Sequence, residues 1–394
     1  MQRYFGTVVR GIRTPIVKKG DDLVKIVTDS VIKAVESENI TFKDKDVIAV
    51  TESLVARAQG NYATIEQIAE DIKKKYTGDE IGLVFPILSR NRFSIILKAF
   101  ALTGKKLHIL LSYPSDEVGN HLMDRKLLYI KHINPYSDTL EEKEYREIFG
   151  EEVKHKFTGI DYVSLYKEIA PNSEVHFSND PKTILNYTKD ICVCSIHTRD
   201  LVKVELKDAG ANTVYGLDDI LNEPVDGSGF NKEYGVLGSN MSSHDYVKLF
   251  PRDGDEFVNA VQKNLIDYSG KQVEVMIYGD GAFKDPVGQI WELADPVVSP
   301  AHTDGLVGTP HELKIKYIAD TELSDMSKEE AESLLKQKIN NKNYSNPEAN
   351  LGTTPRRITD LLGSLADLTS GSGDKGTPVV FISGYFDNFA SEWD

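Results

Sequence analysis

After Gly20-Asp21-Asp22, apolar side chains recur at Leu23, Val24, Val27, Val31, Ala34 and Val35. That spacing predicts an amphipathic helix, with Asp21 or Asp22 capping its free backbone N–H groups. The run DVIAVT, Asp46 to Thr51, is short and β-branched, the pattern of a buried strand. A helix is predicted from about Thr64 to Tyr76, a strand over Ile81 to Phe85, a glycine-closed helix over Ser94 to Gly104, and a strand over Leu107 to Ser112. Strands alternating with helices in this way predict an α/β domain.

From about His121 to Gly270 the pattern is more polar and irregular. It holds an acidic helical stretch (TLEEKEYREIFGEEVKH), the expected strands ICVCSI and LVKVEL, and a loop-rich passage, EPVDGSGFNKEYGVLGSNMSS. This region is expected to be an inserted domain with its own small core. Regular structure resumes with VEVMIY (Val273 to Tyr278) and LKIKYIA (Leu313 to Ala319). Ser327 and Glu330 form a capping-box pattern for the helix KEEAESLLKQKI. Thr354-Pro355 is expected to open a last helix with Ile358, Leu361, Leu362, Leu365 and Leu368 on one face, before the loop TSGSGDKG and the strand TPVVFIS.

Composition narrows the class. The 394 residues, 40% apolar and 27% charged, are those of an ordinary globular protein of two or three domains. No stretch reaches the roughly 18 apolar residues of a membrane span, and the N-terminus shows no signal-peptide pattern. A net charge of −15 disfavours a nucleic-acid partner, which clustered Lys and Arg would bind. Cys192 and Cys194 share one strand face and are expected to be a reduced pair in a cytoplasmic protein.

Several standard signatures are missing: no G-x-x-x-x-G-K-[ST], no early G-x-G-x-x-G, no G-x-S-x-G, no H-E-x-x-H. His302 and Asp304 can be read as metal ligands or as plain loop residues. What remains is polar residues at strand ends, where α/β proteins place their sites. Thr51-Glu52-Ser53 and then Arg57 follow the strand DVIAVT; they suit phosphate oxygens, or simply a helix cap with a solvated arginine. Asp116 and Asn120 follow LHILLS; Asp280 and Asp285 follow VEVMIY. Two Asp residues at the ends of separate strands suit Mg²⁺ or Mn²⁺, although Asp-Gly is also an ordinary turn. Arg90 and Arg92 can recruit an acidic substrate, with solvated helix-start arginines the simpler reading.

In this order the pieces resemble the coenzyme F-420-0:L-glutamate ligase (γ-glutamyl ligase) family. Gly11-Ile12-Arg13-Thr14-Pro15-Ile16 with Lys19-Gly20-Asp21-Asp22-Leu23 is similar to the family's G-[IL]-P-x-[IV]-x-x-G-D-D-L opening, with two residues added. Asp46 to Gly60 is similar to D-V-[IL]-V-V-x-[SQ]-[ST]-V-V-S-K-A-x-G, and Leu368 to Val380 to L-x-M-G-[EQ]-x-x-x-G-[IV]-P-V-V. The resemblance covers roughly 1–120 and 271–394 and leaves 121–270 unmatched. It implies an α/β (α+β) ligase-like core with mixed sheets, its nucleotide-binding part in 1–120 and its completing part in 271–394, plus an inserted α/β subdomain over 121–270.

The resemblance also implies roles. Gly11, Pro15, Ile16, Glu52, Ser53, Arg57, Asn120, Gly371 and Ser372 would bind GTP. Asp116 and Asp280 would hold Mg²⁺ or Mn²⁺, with Asp285 or Ser372 substituting for a threonine that is Gly281 here. Arg57, a lysine in the family, would act with Asp116 and Asp280 in catalysis. The implied reaction joins L-glutamate to a carboxylate acceptor, F-420-0 or a related acid, through an acyl phosphate, in a homodimer. D-T-F-G-R-P is matched only loosely by Asp280 to Pro286. The alternative is therefore a nucleotide-binding regulatory or scaffold protein without turnover.

Overall fold

The computed structural model describes residues 5–156, 158–281, 295–310, 312–342, 356–370 and 373–391. The fold is mixed α/β, with three sheets among the described residues.

The first sheet has the order β1 (Val8–Ile12), β14 (Val379–Ser383), β2 (Val47–Thr51), β12 (Glu274–Tyr278), β13 (Ala301–His302). Only β2 and β12 run parallel; their neighbours pair antiparallel. Val47, Ile48, Ala49 and Val50 are all fully buried. Ile48 and Val50 face one apolar cluster while Val47 and Ala49 face another, which is why β2 reads as a continuous apolar run instead of alternating. The helices Leu23–Ser37 and Gly254–Ser269 cover one face, and Ile358–Thr369 covers the other. Asp22 caps the first of these, its carboxylate accepting the Lys25 N–H at 3.0 Å.

The second sheet has the order β6 (Leu140–Glu141), β7 (Ser173–Phe177), β5 (Lys106–Leu111), β4 (Glu80–Val84), β8 (Asp190–Val193), β9 (Thr213–Gly216). Five strands are parallel and β6 is an antiparallel edge. In chain order the parallel strands lie 3-2-1-4-5, the doubly wound arrangement, built here without the glycine fingerprint of a dinucleotide site. A small third sheet, β10 (Asn240–Ser243), β11 (Tyr246–Lys248), β3 (Tyr62–Thr64), lies between the two in the chain's path.

The expected boundaries at 120 and 270 fall inside these layers. β4 and β5, assigned to the first unit, form one sheet with β7, β8 and β9, assigned to the insert. Gly254–Ser269, also assigned to the insert, packs Val258, Val261 and Leu265 on the first sheet.

Most predicted elements are found where expected, including Ile65–Lys75 behind its Thr64 cap and Lys328–Asn340 behind the Ser327–Glu330 capping box. LVKVEL is the exception. It lies in the helix Arg199–Asp208, not in a strand. Its alternation of Val202, Val204 and Leu206 suggests period two, but only Val202 and Leu206, four apart, are buried, while Leu201 and Val204 are exposed. LKIKYIA, expected to be regular structure, contributes to the helix Ile315–Thr321. Cys192 and Cys194 are free and buried. Thr354 and Pro355, expected to open the last helix, lie outside the described residues.

Candidate functional site

β2 and β12 leave the first sheet side by side, with Thr51 opposite Tyr278. The residues that follow, Glu52 and Gly279-Asp280, therefore emerge together at the carboxyl ends of a parallel pair. Glu52 is the first residue of the helix Glu52–Gln59 and is buried. Burial pushes its carboxyl up to about 8; Lys248 and Arg92 oppose the shift, and Asp295 and Asp280 add to it.

Asp280 stands in a closed ring of bonds. Arg92 Nη2 donates to Asp280 Oδ2 at 2.6 Å and Nη1 to Asp295 Oδ1 at 2.8 Å. Asp295 Oδ2 in turn accepts the Asp280 N–H at 2.7 Å. Arg92 is not the solvated helix-start arginine expected: its side chain is 12% exposed. Burial works against its charge, yet Asp295 and Asp280 outweigh burial and hold the guanidinium protonated. Arg90 is exposed, as expected. The Gly281 N–H donates to Asp367 Oδ2 at 3.1 Å, and burial raises the Asp367 carboxyl above its usual range. The turn needs glycine: a Cβ on Gly279 would lie 2.2 Å from Asp295 Oδ2, and one on Gly281 2.8 Å from the Ser364 backbone.

A cavity of about 430 Å³ lies at the start of the same helix. Pro15, Ile16, Ser53, Arg57, Lys248, Gly376 and Thr377 line it. Lys248 Nζ donates to Ser53 Oγ, so one cation serves both the cavity wall and the field on Glu52. Arg57, Pro15 and Ile16 are exposed. Pro15 and Ile16 from the opening loop and Ser53 and Arg57 from the helix start, all expected at the nucleotide, line this cavity together with Gly373, Gly376 and Thr377. Gly11 sits beside it on β1, opposite Val380, where an added Cβ would come within 2.8 Å of the Thr377 side chain.

Asp116 and Asn120 lie on the loop that follows β5 of the second sheet. Asp116 is buried, and both oxygens are used locally: Oδ2 accepts the Leu88 N–H at 2.7 Å and Asn120 Nδ2 at 2.9 Å. Oδ1 accepts the Asn120 N–H at 2.7 Å and the Val118 N–H at 3.2 Å. Burial raises its pKa to about 6 against these bonds. The structure joins Asp280 to Asp295 through Arg92. Asp116 instead anchors Leu88, four residues before Arg92, and Asn120 closes the same loop. Asp285, Gly371 and Ser372 lie outside the described residues. His302 Nδ1 lies 3.1 Å from the Thr303 carbonyl and forms no metal set with Asp304 among the described residues.

Asp295, Asp367 and Lys248 were not read from the sequence. Asp295 and Asp367 carry no sequence motif, Asp367 lies inside the helix Ile358–Thr369, and Lys248 ends a three-residue strand.

The fold and site define a mixed α/β protein with clustered carboxylates at the ends of a parallel strand pair. A family model for F420-0:gamma-glutamyl ligase matches residues 11–384, a span that includes 121–270. The chain belongs to this family of amide-forming ligases. No curated protein matches it. Among the described residues, no helix is long and apolar enough to cross a membrane.

Proposed function

We propose that the protein is a GTP- and divalent-metal-dependent ligase that joins L-glutamate to a carboxylate acceptor, F-420-0 or a related acid. The observation that carries this reading is the emergence of Glu52 and Asp280 from paired parallel strands beside a cavity lined by Ser53, Arg57 and Lys248. The donor set suits a hard cation: Glu52, Asp280, Asp295 and Asp367 outnumber Arg92 and Lys248. Arg92 offsets only one of the two charges on Asp280 and Asp295, and Glu52 otherwise stays protonated to about pH 8, so a bound cation would offset the remaining negative charge of the cluster. Asp280 and Glu52 would hold Mg²⁺ or Mn²⁺, with Asp295 behind them. When bound, the ion supplies charge neutralisation for the phosphates.

In this reading Arg57 and Lys248 hold the phosphate oxygens of GTP, and Pro15, Ile16 and Ser53 shape its berth. An acceptor carboxylate oxygen attacks the γ-phosphorus of GTP, the bond to the bridging oxygen breaks, GDP leaves, and an acyl phosphate forms. The glutamate amine then attacks the acyl carbon, phosphate leaves, and the amide remains. Asp116 acts through Leu88 on the loop that presents Arg92.

The test is phosphate release by the purified protein with GTP, L-glutamate, Mn²⁺ or Mg²⁺ and carboxylate acceptors. Release that requires both glutamate and acceptor supports the reading. A GTP-raised melting temperature without phosphate release would favour the regulatory or scaffold alternative.

A further inference from the structure

On the second sheet, far in sequence from the carboxylate site, two buried histidines and a glutamate converge. His108 on β5 and His176 on β7 are 3% and 2% exposed, and Glu174 shares their face. The register explains this: His108 is paired with Glu174, and His176 lies two residues further on the same strand face. His108 Nδ1 is 3.3 Å from His176 Nε2 and 3.4 Å from Glu174 Oε2, and the three atoms lie within 4.8 Å of one another.

With both rings neutral, His176 Nδ1, 2.6 Å from Glu141 Oε2, carries the proton and its Nε2 presents a lone pair. If His108 Nδ1 donates to that lone pair, its Nε2 is left bare. Nε2 is buried without a hydrogen-bond partner, 3.5 Å from the Glu80 carboxylate. If Nε2 carries the proton instead, the two facing ring nitrogens and Glu174 Oε2 all point lone pairs at one another.

The geometry points to a divalent transition-metal site formed by His108 Nδ1, His176 Nε2 and Glu174 Oε2. A tetrahedral ion with bonds of about 2.0–2.2 Å needs ligand atoms about 3.3–3.5 Å apart, which the two measured separations meet. Both outer ring nitrogens then become donors, His176 to Glu141 and His108 toward Glu80, the carboxylate backing that ligating histidines usually have. Two imidazoles favour Zn²⁺-like ions over Mg²⁺. A surface cavity of about 600 Å³, lined in part by Glu141, Glu174 and His176, gives entry and room for a water as fourth ligand. The Tyr187 ring stacks on His176 at 3.7 Å and closes the other side.

The test is titration of untagged, chelator-treated protein with Co²⁺ in excess Mg²⁺, which occupies hard-cation sites. One equivalent of Co²⁺ with the visible absorption of a tetrahedral centre, displaced by Zn²⁺, is expected. Glu174→Gln, at a half-exposed position that does not threaten folding, should weaken binding about tenfold or more. His176→Gln should abolish the spectrum, with circular dichroism checking its fold. Asp280→Asn should leave the spectrum unchanged, which separates this site from the carboxylate cluster. Absence of stoichiometric Co²⁺ binding, a spectrum indifferent to Glu174→Gln, or its loss in Asp280→Asn would overturn the proposal.

Discussion

Arg92, on the loop after β4, and Asp280, on the loop after β12, form a 2.6 Å ion pair that joins the carboxyl ends of strands from two different sheets. The same guanidinium reaches Asp295, which is 3% exposed. Removing it leaves a buried carboxylate without its partner. Arg92→Ala is expected to destabilise the fold by on the order of 3 kcal/mol, read by denaturant unfolding. Arg92→Lys should recover only part of this loss, since one ammonium cannot replace the two-pronged contact.

Glu52 makes stability depend on pH with a definite sign. Its folded pKa of about 8 lies above its ordinary 4.5, so the folded protein holds a proton that the unfolded chain has lost. The group's contribution therefore falls as pH rises from about 4.5 to about 8 and is constant above that. Glu52→Gln should flatten this part of the stability profile, and its gain relative to wild type should be larger at pH 8 than at pH 5. Equal pH slopes in the two proteins would remove Glu52 as the cause.

Asp116 fixes three backbone N–H groups, those of Leu88, Val118 and Asn120. Asp116→Ala would leave buried donors unmet, at about 1–3 kcal/mol each where water cannot reach them. The expected result is a large fall in melting temperature, whether or not GTP and Mn²⁺ are present. A variant of wild-type stability would contradict the anchoring role.

Gly279→Ala places a methyl group 2.2 Å from Asp295 Oδ2, too close for both to stay. Displacing Asp295 breaks its bond to the Asp280 N–H and disturbs the Arg92 bridge. Overpacking of this kind costs about 1–3 kcal/mol. Thermal unfolding should show that loss, and any stabilisation by Mn²⁺ should shrink with it.

What the sequence shows and hides here follows from the range of the signal. β2, the capped helices and the strand ends that carry Glu52 and Asp280 are written in local runs, so they are readable. The helix Arg199–Asp208 is misread because Val204 completes an alternation that burial does not respect. The sheet that unites β4 and β5 with β7, β8 and β9 leaves no local mark, so boundaries at 120 and 270 cut through layers. Arg92 looks like a surface residue beside Arg90 until Asp280 and Asp295, about 190–200 positions on, are brought to it. Asp116 and Asp280 look alike in sequence, each after a strand, but only Asp280 follows a strand parallel to β2 in the first sheet.

The central claim is that Glu52 and Asp280 hold the divalent cation that serves GTP. Mn²⁺ titration followed by electron paramagnetic resonance, with GTP present, tests it most directly. One bound Mn²⁺ per chain is expected, with affinity falling at least about tenfold in Glu52→Gln and in Asp280→Asn. Wild-type Mn²⁺ affinity in both variants would contradict it.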